Sequence, residues 1–229
     1  MKRKFKDFIL NHDFKIKIID FFKWKLVDIY RFFKYKPEPH LFGIYCITGM
    51  YGCGKTVTMS KIALDFRNKY KDKIYITTNF GFALQDFPFE SISQLSQQFD
   101  KPIIYFWDEV QNEFPATDKV FSKEVRQALT LNRKGHGKRI YWASQDHELV
   151  HKTIRRLTIQ YGMVKTFFGR FTRCKWFDDI DYQRYFMETD FNKRLKIHPR
   201  NRFSFIQSDY LRSLYNSFSW DNGEKLNSK

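Results

Sequence analysis

The chain is short of cysteine, proline, acidic residues and any long apolar run, and the shortages of cysteine and of apolar runs each remove a class of protein. Its three cysteines, Cys46, Cys53 and Cys174, are widely spaced, odd in number and include no C-x-x-C pair. Neither a disulfide framework nor a zinc site is indicated, and reduced thiols in a cytoplasmic setting fit best. No apolar stretch approaches the ~18 residues that suggest a membrane-spanning helix. The basic N-terminus leads into no uninterrupted apolar segment with a small-residue cleavage site, so a signal peptide is not expected. Low-complexity tracts and short repeats are missing too. Acids number 25 against 41 Lys and Arg, leaving a net charge of +16. Such an imbalance favours a polyanionic partner, either nucleic acid or an anionic membrane face.

What is present is a globular composition, 42% hydrophobic and 29% charged over 229 residues. That length allows one sizeable core and a small appendage. Aromatics reach 19%, with 26 Phe. Phe, Ile, Lys, Asn and Tyr are common while Ala and Pro are scarce, a bias that AT-rich coding DNA produces, so part of the aromatic and lysine excess is compositional.

Four stretches differ in character. Residues 1–38 read as a basic, aromatic, amphipathic helical segment: Asp13, Lys17, Asp20, Asp28, Arg31 and Lys34 lie on or near one stripe, and Ile16, Ile19, Phe22, Leu26, Ile29 and Phe33 on a wide apolar face. Lys36-Pro37-Glu38-Pro39 breaks that helix. Residues 39–163 alternate short apolar runs with helical patterns, as an α/β sheet with crossover helices does. Strands are expected at Ile44–Thr48, Ile74–Thr77, Ile103–Trp107, Arg139–Ala143 and Leu157–Tyr161, with helices starting near Lys55, Ser91, Asp118 and Asp146. Residues 164–220 read as an appendage: a hairpin turning at Gly169-Arg170 and a short helix over Ser208–Phe218. Residues 221–229 form a polar tail expected to be disordered.

Gly49-Met50-Tyr51-Gly52-Cys53-Gly54-Lys55-Thr56 fits G-x-x-x-x-G-K-[ST] without departure, between an apolar strand and a helical pattern. Glycines let consecutive N–H groups turn inward onto phosphate oxygens. Lys55 would reach the β- and γ-phosphates, Thr56 would offer its hydroxyl to Mg²⁺, and the helix N-terminus, with Val57 in its first turn, would add its dipole. A Mg²⁺–nucleoside triphosphate, most simply ATP, is the implied ligand. Ile103–Trp107 then delivers Asp108 and Glu109, about 50 residues downstream of the loop. Asp108 would hold Mg²⁺ through water and Glu109 would polarise the attacking water, favouring hydrolysis over transfer to a small acceptor. Gln145 ends the next strand, where ligands gather in open α/β sheets. If that strand inserts between the two motif strands, Gln145 can sense the γ-phosphate or orient the water.

The Asp-Glu pair and the downstream strand ending in Gln resemble the additional-strand P-loop ATPases of the FtsK–HerA superfamily. More narrowly, the chain resembles the zonula occludens toxin-like (Zot) ATPases of filamentous phages, which take part in virion assembly and DNA export. The matching stretches are the P-loop, Tyr75–Asn79, Trp107–Gln111, Leu131–Gly137 and Ser144-Gln145-Asp146 through Ile154-Arg155-Arg156. Asn132-Arg133-Lys134 stands where the family usually has a His-Arg-His-like triplet. Typical members also carry a transmembrane helix after the ATPase domain. The resemblance implies a RecA-like core in the strand order 5-1-4-3-2 and a ring-shaped homo-oligomer.

Arg133, Lys134, His136, Lys138 and Arg139 cluster before the Gln145 strand. In a ring motor this turn could carry an arginine finger, Arg133 first, with Arg155 and Arg156 as competitors; it could face DNA, or be a solvated turn. Lys165, Arg170, Arg173 and Lys175 alternate with Phe167, Phe168, Phe171 and Trp176. That pattern suits nucleic-acid contact and equally an ordinary strand with one face in the core. The segment over residues 1–36 either lies on an anionic membrane surface or packs on protein. Three functions follow from these features. The first is an ATP-driven nucleic-acid translocase or packaging motor of a virus or mobile element, acting with capsid or assembly proteins and located in the cytoplasm, at the host membrane or with the virion. The others are a membrane-associated assembly switch and a small-acceptor P-loop kinase.

Overall fold

A computed structural model of the chain describes residues 12–35 and 39–215. The tail over 221–229, most of the boundary at Lys36–Glu38 and the first eleven residues lie outside these. Two units are distinguished, Met1–Glu38 and Pro39–Lys229. In the first, α1 runs over His12–Tyr35, with Phe21 edge-on to Phe22 and Lys34 over the Tyr30 ring. No described helix is long and apolar enough to cross a membrane.

In the second unit the apolar runs become strands because both faces of a sheet are covered, which removes the need for polar alternation. β1 (Gly43–Thr48), β2 (Tyr75–Thr78), β4 (Ile103–Trp107), β5 (Lys138–Ser144) and β6 (Gln160–Phe167) lie parallel, with the two-residue β3 (Phe87–Pro88) at one edge. β7 (Phe171–Asp178) and β8 (Asn201–Ile206) add antiparallel to β6 at the other end. The order is β3-β2-β4-β5-β1-β6-β7-β8. Its central five are the expected 5-1-4-3-2 arrangement, so β5 inserts between the P-loop strand and the Asp-Glu strand.

The helices divide between the faces. α2 (Lys55–Tyr70) and α7 (Asp209–Ser213) bring Val57, Met59, Ala63 and Leu211 against Ile47, Ile104, Phe106 and Ala143. α3 (Lys123–Thr130), α4 (Lys152–Leu157) and α5 (Asp179–Met187) bring Leu129, Ile154 and Tyr182 against Tyr105, Trp107, Trp142 and Tyr161. α6 (Phe191–Leu195) follows α5. The aromatic excess is used structurally here. Phe106 stacks on Tyr141 at 5.1 Å and Tyr141 on Tyr45 at 5.0 Å, a ladder across three central strands. Trp107 and Trp142 sit in register on the opposite face, their indole N–H groups donating to Glu113 and Thr158 at 2.9 Å each.

Several local expectations are corrected. Leu157 closes α4, and the last parallel strand begins at Gln160, since the Thr158 hydroxyl back-bonds to the Ile154 carbonyl at 2.9 Å and ends the helix there. β6 continues unbroken through residues 163 and 164, so the hairpin grows out of the parallel sheet. Ser91 and Asp146 cap only short 3₁₀ turns. Ser122 and His151 cap α3 and α4 in the places expected of Asp118 and Asp146. α5, α6 and β8 carry no strong sequence signal and were not expected.

Gly137, just before β5, has φ +91°, and a Cβ there would stand 2.4 Å from the Leu41 carbonyl oxygen, a backbone atom with no room to yield. Gly137→Ala is therefore expected to destabilise the fold by about 3 kcal/mol or more, read as a fall in the urea midpoint at unchanged slope.

Candidate active site

The P-loop follows directly from the buried end of β1, and Gly54 caps α2 in a left-handed conformation at φ 96° and ψ 32°. An added Cβ at Gly49 would meet Cys53 Sγ at 2.6 Å and the Val164 carbonyl at 2.9 Å. The loop is thus wound tightly enough that glycine is demanded by space as well as by φ. Met50 and Tyr51 face solvent. Burial pushes the Cys53 thiol above its ordinary pKa, with Lys55 opposing, so Cys53 is a packing residue. Lys55 is only 7% exposed; its Nζ donates to the Gly49 carbonyl at 3.1 Å and lies over the Tyr51 ring. The Gly49 and Met50 carbonyls hold the ammonium where phosphate oxygens would take over.

Asp108 and Glu109 leave β4 beside it. Thr56 Oγ1 donates to Asp108 Oδ2 at 2.6 Å, which joins the first turn of α2 to the end of β4. Desolvation, the largest influence, raises the Asp108 pKa and the Glu109 carboxylate adds to it, while Thr56 and Lys55 pull it down. Glu109 adopts the left-handed region at φ 56° and ψ 45°, a conformation that costs a non-glycine residue ~1–2 kcal/mol. It turns the carboxylate away from the strand axis, and Gln111 Nε2 donates to Glu109 Oε2. Gln111 Oε1 is buried with no hydrogen-bond partner.

Gln145 lies just past β5, between β1 and β4. Its backbone carbonyl accepts from Thr48 Oγ1 at 3.2 Å, which fixes it beside the P-loop entrance. Lys55, Thr56, Asp108, Glu109 and Gln145 are therefore brought to one edge of the sheet. Arg133 is not. It precedes the N-terminal end of β5, at the opposite edge, where its guanidinium covers the Phe42 ring at 5.3 Å and its carbonyl contacts His40 Nε2 at 3.1 Å. Any role for it at a nucleotide belongs to a neighbouring copy's site. Arg155 sits on α4 with its Nε buried and unpaired, and Arg156 on the same helix is exposed.

Four residues with no role read from the sequence hold this edge together. Asn79, just past β2, clamps Asp108 twice, donating to its carbonyl at 2.9 Å and accepting its N–H at 2.8 Å. A polar residue ending a strand next to the Asp-Glu strand was the available signal. Gln111 is the second, through Glu109. The others come from the extension. Thr166 Oγ1 donates to the Cys53 carbonyl at 2.7 Å, and Gln207 Nε2 donates to Thr172 Oγ1 at 2.7 Å and Thr166 Oγ1 at 3.3 Å. Arg212 Nε fixes Gln207 Oε1 at 3.0 Å. The P-loop thus rests on a polar brace from β6 and the end of β8, which sequence spacing could not reveal across 113 and more residues.

No protein-family model matches the sequence, and no curated protein matches it. Among solved structures, the N-terminal domain of zonular occludens toxin from Neisseria meningitidis superposes with a TM-score of 0.52 at 20% identity, covering 77% of this chain and 100% of that one. The genome packaging NTPase B204 of Sulfolobus turreted icosahedral virus 2, in complex with ATP-gammaS, gives a TM-score of 0.41 at 14% identity over 55% of this chain and 76% of that one. The second likeness is too loose to argue from. The first agrees with the resemblance carried by the motifs: this chain has the additional-strand P-loop NTPase fold of the Zot N-terminal domain.

Proposed function

We propose that the chain is an ATP-hydrolysing motor of a virus or mobile element that packages, exports or translocates nucleic acid during virion assembly. The observation that carries this reading is the strand order β4-β5-β1, which brings the P-loop, the Asp108-Glu109 strand end and Gln145 to one edge of the sheet. A Mg²⁺–triphosphate fits these residues. The Thr56 hydroxyl and the Asp108 carboxyl already meet at 2.6 Å, and Asp108, desolvated and next to a second carboxylate, is a group that a divalent cation relieves. Mg²⁺ would supply charge neutralisation on the β- and γ-oxygens. Lys55 would exchange the Gly49 carbonyl for those oxygens, Thr56 and Asp108 would hold the cation, and Glu109 would orient and polarise the water. Gln145 would report whether the γ-phosphate is present. In a ring, Arg133 or one of the α4 arginines would serve a neighbour's site. The charge of +16 and the motifs shared with the Zot-like ATPases support nucleic acid, DNA first, as the load. The Lys, Trp and Phe content of α1 favours a second reading, an assembly ATPase attached to an anionic membrane surface, located peripherally in the cytoplasm.

ATPase rates with and without single- and double-stranded DNA, together with the solution mass in ATP, test the motor. DNA stimulation and a multimer support it; a monomer indifferent to DNA sinks it, and liposome binding lost on deleting residues 1–36 would then favour the second reading.

Asp108→Asn separates stability from function. Because the folded pKa lies above the unfolded one, ionising Asp108 costs the nucleotide-free fold stability above that pKa, and the cost vanishes below the unfolded value of about 4. The variant is expected to melt higher than wild type at pH 7 without nucleotide, with the gap closing in acid, while Mg²⁺ no longer strengthens ATP binding. Equal melting curves at both pH values would refute this.

A further inference from the structure

The cross-strand register sorts the extension into two faces. Val164, Cys174, Trp176 and Phe205 point to the α2 and α7 side and are buried there. The other face carries three rows: Met163, Lys175 and Arg202; Lys165, Arg173 and Ser204; Phe167, Phe171 and Ile206. α5 covers only the end near Tyr161 and Phe177, through Tyr182 stacked on Tyr161 at 4.3 Å and Tyr185 against Phe177. Four cations therefore stand on one open sheet face with no carboxylate in any row. None of them belongs to an ion pair among the described residues. Like charges opposite one another destabilise a sheet. The strain is local: burial and the neighbouring Arg173 and Arg202 pull the Lys175 pKa down. Aromatics complete the surface. Phe171 and Ile206 are 38% and 61% exposed, and Phe168, at the hairpin tip with φ +50°, is 99% exposed.

We propose that this face of β6, β7 and β8 binds single-stranded nucleic acid, with Lys165, Arg173, Lys175 and Arg202 on the phosphates and Phe167, Phe168 and Phe171 on the bases. The inference rests on the motor reading and names where its load lies. The charge requires a polyanion. Along β7, Arg173 and Lys175 repeat every second residue, about 6.6–6.8 Å, close to the separation of successive phosphates in an extended strand. Three phenyl rings at the same end need flat apolar partners, and unpaired bases offer their faces where a duplex hides them. The placement also suits a motor. β6 runs parallel to β1, so the tip lies at the P-loop edge, and Thr166 on the reverse face of β6 holds the Cys53 carbonyl. Nucleic acid on the outer face is one strand away from the loop that grips phosphate.

The test is fluorescence anisotropy of a labelled oligo-dT 20-mer and the matching duplex, with the full chain, Arg173→Glu/Arg202→Glu, which leaves Lys165 and Lys175 opposite the introduced carboxylates, and Phe168→Ala/Phe171→Ala. Wild type is expected to bind oligo-dT more tightly than duplex, with affinity falling steeply as salt rises. The charge variant should lose at least tenfold while melting at or above the wild-type temperature, since it replaces cross-strand repulsion by opposite charges. The aromatic variant should lose about three- to tenfold with little change in salt slope. Wild-type binding retained by both variants would overturn this surface and leave the motor reading standing. Preference for duplex would overturn the single-strand assignment. No nucleic-acid binding by wild type at low salt would overturn the motor reading itself.

Discussion

Glu109→Gln is expected to bind ATP as wild type does and to hydrolyse it about 10²–10³-fold more slowly. Binding and turnover separate here because different side chains carry them. Lys55 is held by the P-loop carbonyls, Thr56 by Asp108, and Asp108 by Asn79, so none of the groups facing the phosphates touches the Glu109 carboxylate. Glu109 instead stands out from the end of β4 in a left-handed conformation that glutamine can also adopt, at the same cost. The substitution keeps shape and removes charge. A water would still be positioned, but no longer polarised by an anion. Gln111 now donates to Glu109, so loss of the charge also weakens the bond that sets its direction. Single-turnover hydrolysis and the dissociation constant of a fluorescent nucleotide, measured on the same preparation, check the claim. A rate within fivefold of wild type would remove Glu109 from the chemistry, and a matching loss of affinity would make it a binding group.

The parallel core and the two ends of the site were legible because short-range pattern and chemistry coincide there. Ile44–Thr48 and Ile103–Trp107 are apolar runs flanked by residues that only a phosphate site needs, and their order follows once β5 is seen to insert. The start of α2 at Lys55 was legible, but only a 3₁₀ turn follows Ser91, and Asp118 and Asp146 misled. Both are good caps by type, and the choice fell to Ser122 and His151 because packing of Val125 and Ile154 sets where α3 and α4 begin. Beyond Gly162 the sequence is crowded with Phe, Tyr and Arg on every second or third position, which obscures period. That is why α5, α6 and β8 went unread and why the hairpin faces stayed ambiguous. Register resolves them, since Trp176 faces the core while Lys165, Arg173 and Lys175 share the open side. The brace under the P-loop had no local signal at all, because Thr166 and Gln207 reach Cys53 and Gly54 only through the folded sheet.

That brace makes Gly54→Ala the other large effect, and it predicts more than a damaged motif. At φ 96° a methyl group costs about 1–2 kcal/mol from backbone strain alone. The new Cβ would also stand 2.7 Å from Thr166 Oγ1, 3.2 Å from Val57 Cγ1 and 3.3 Å from Gln207 Nε2. Thr166 cannot swing aside freely, since its hydroxyl is bonded to the Cys53 carbonyl and to Thr172, and Gln207 is pinned by Arg212. The loop itself must therefore move, and its N–H groups lose their common aim. ATP affinity is expected to fall at least ~100-fold, about 2.7 kcal/mol, with a smaller loss of thermal stability. Thr166→Ala removes the nearest obstacle while depriving the Cys53 carbonyl of its donor, so alone it should weaken ATP binding by only a few-fold. Combined with Gly54→Ala it should recover part of the lost affinity, a coupling of opposite sign to additive damage. If the double variant binds ATP no better than Gly54→Ala, the hairpin does not shape the P-loop. A positive coupling would show that β6 sets the loop's geometry from outside the motif.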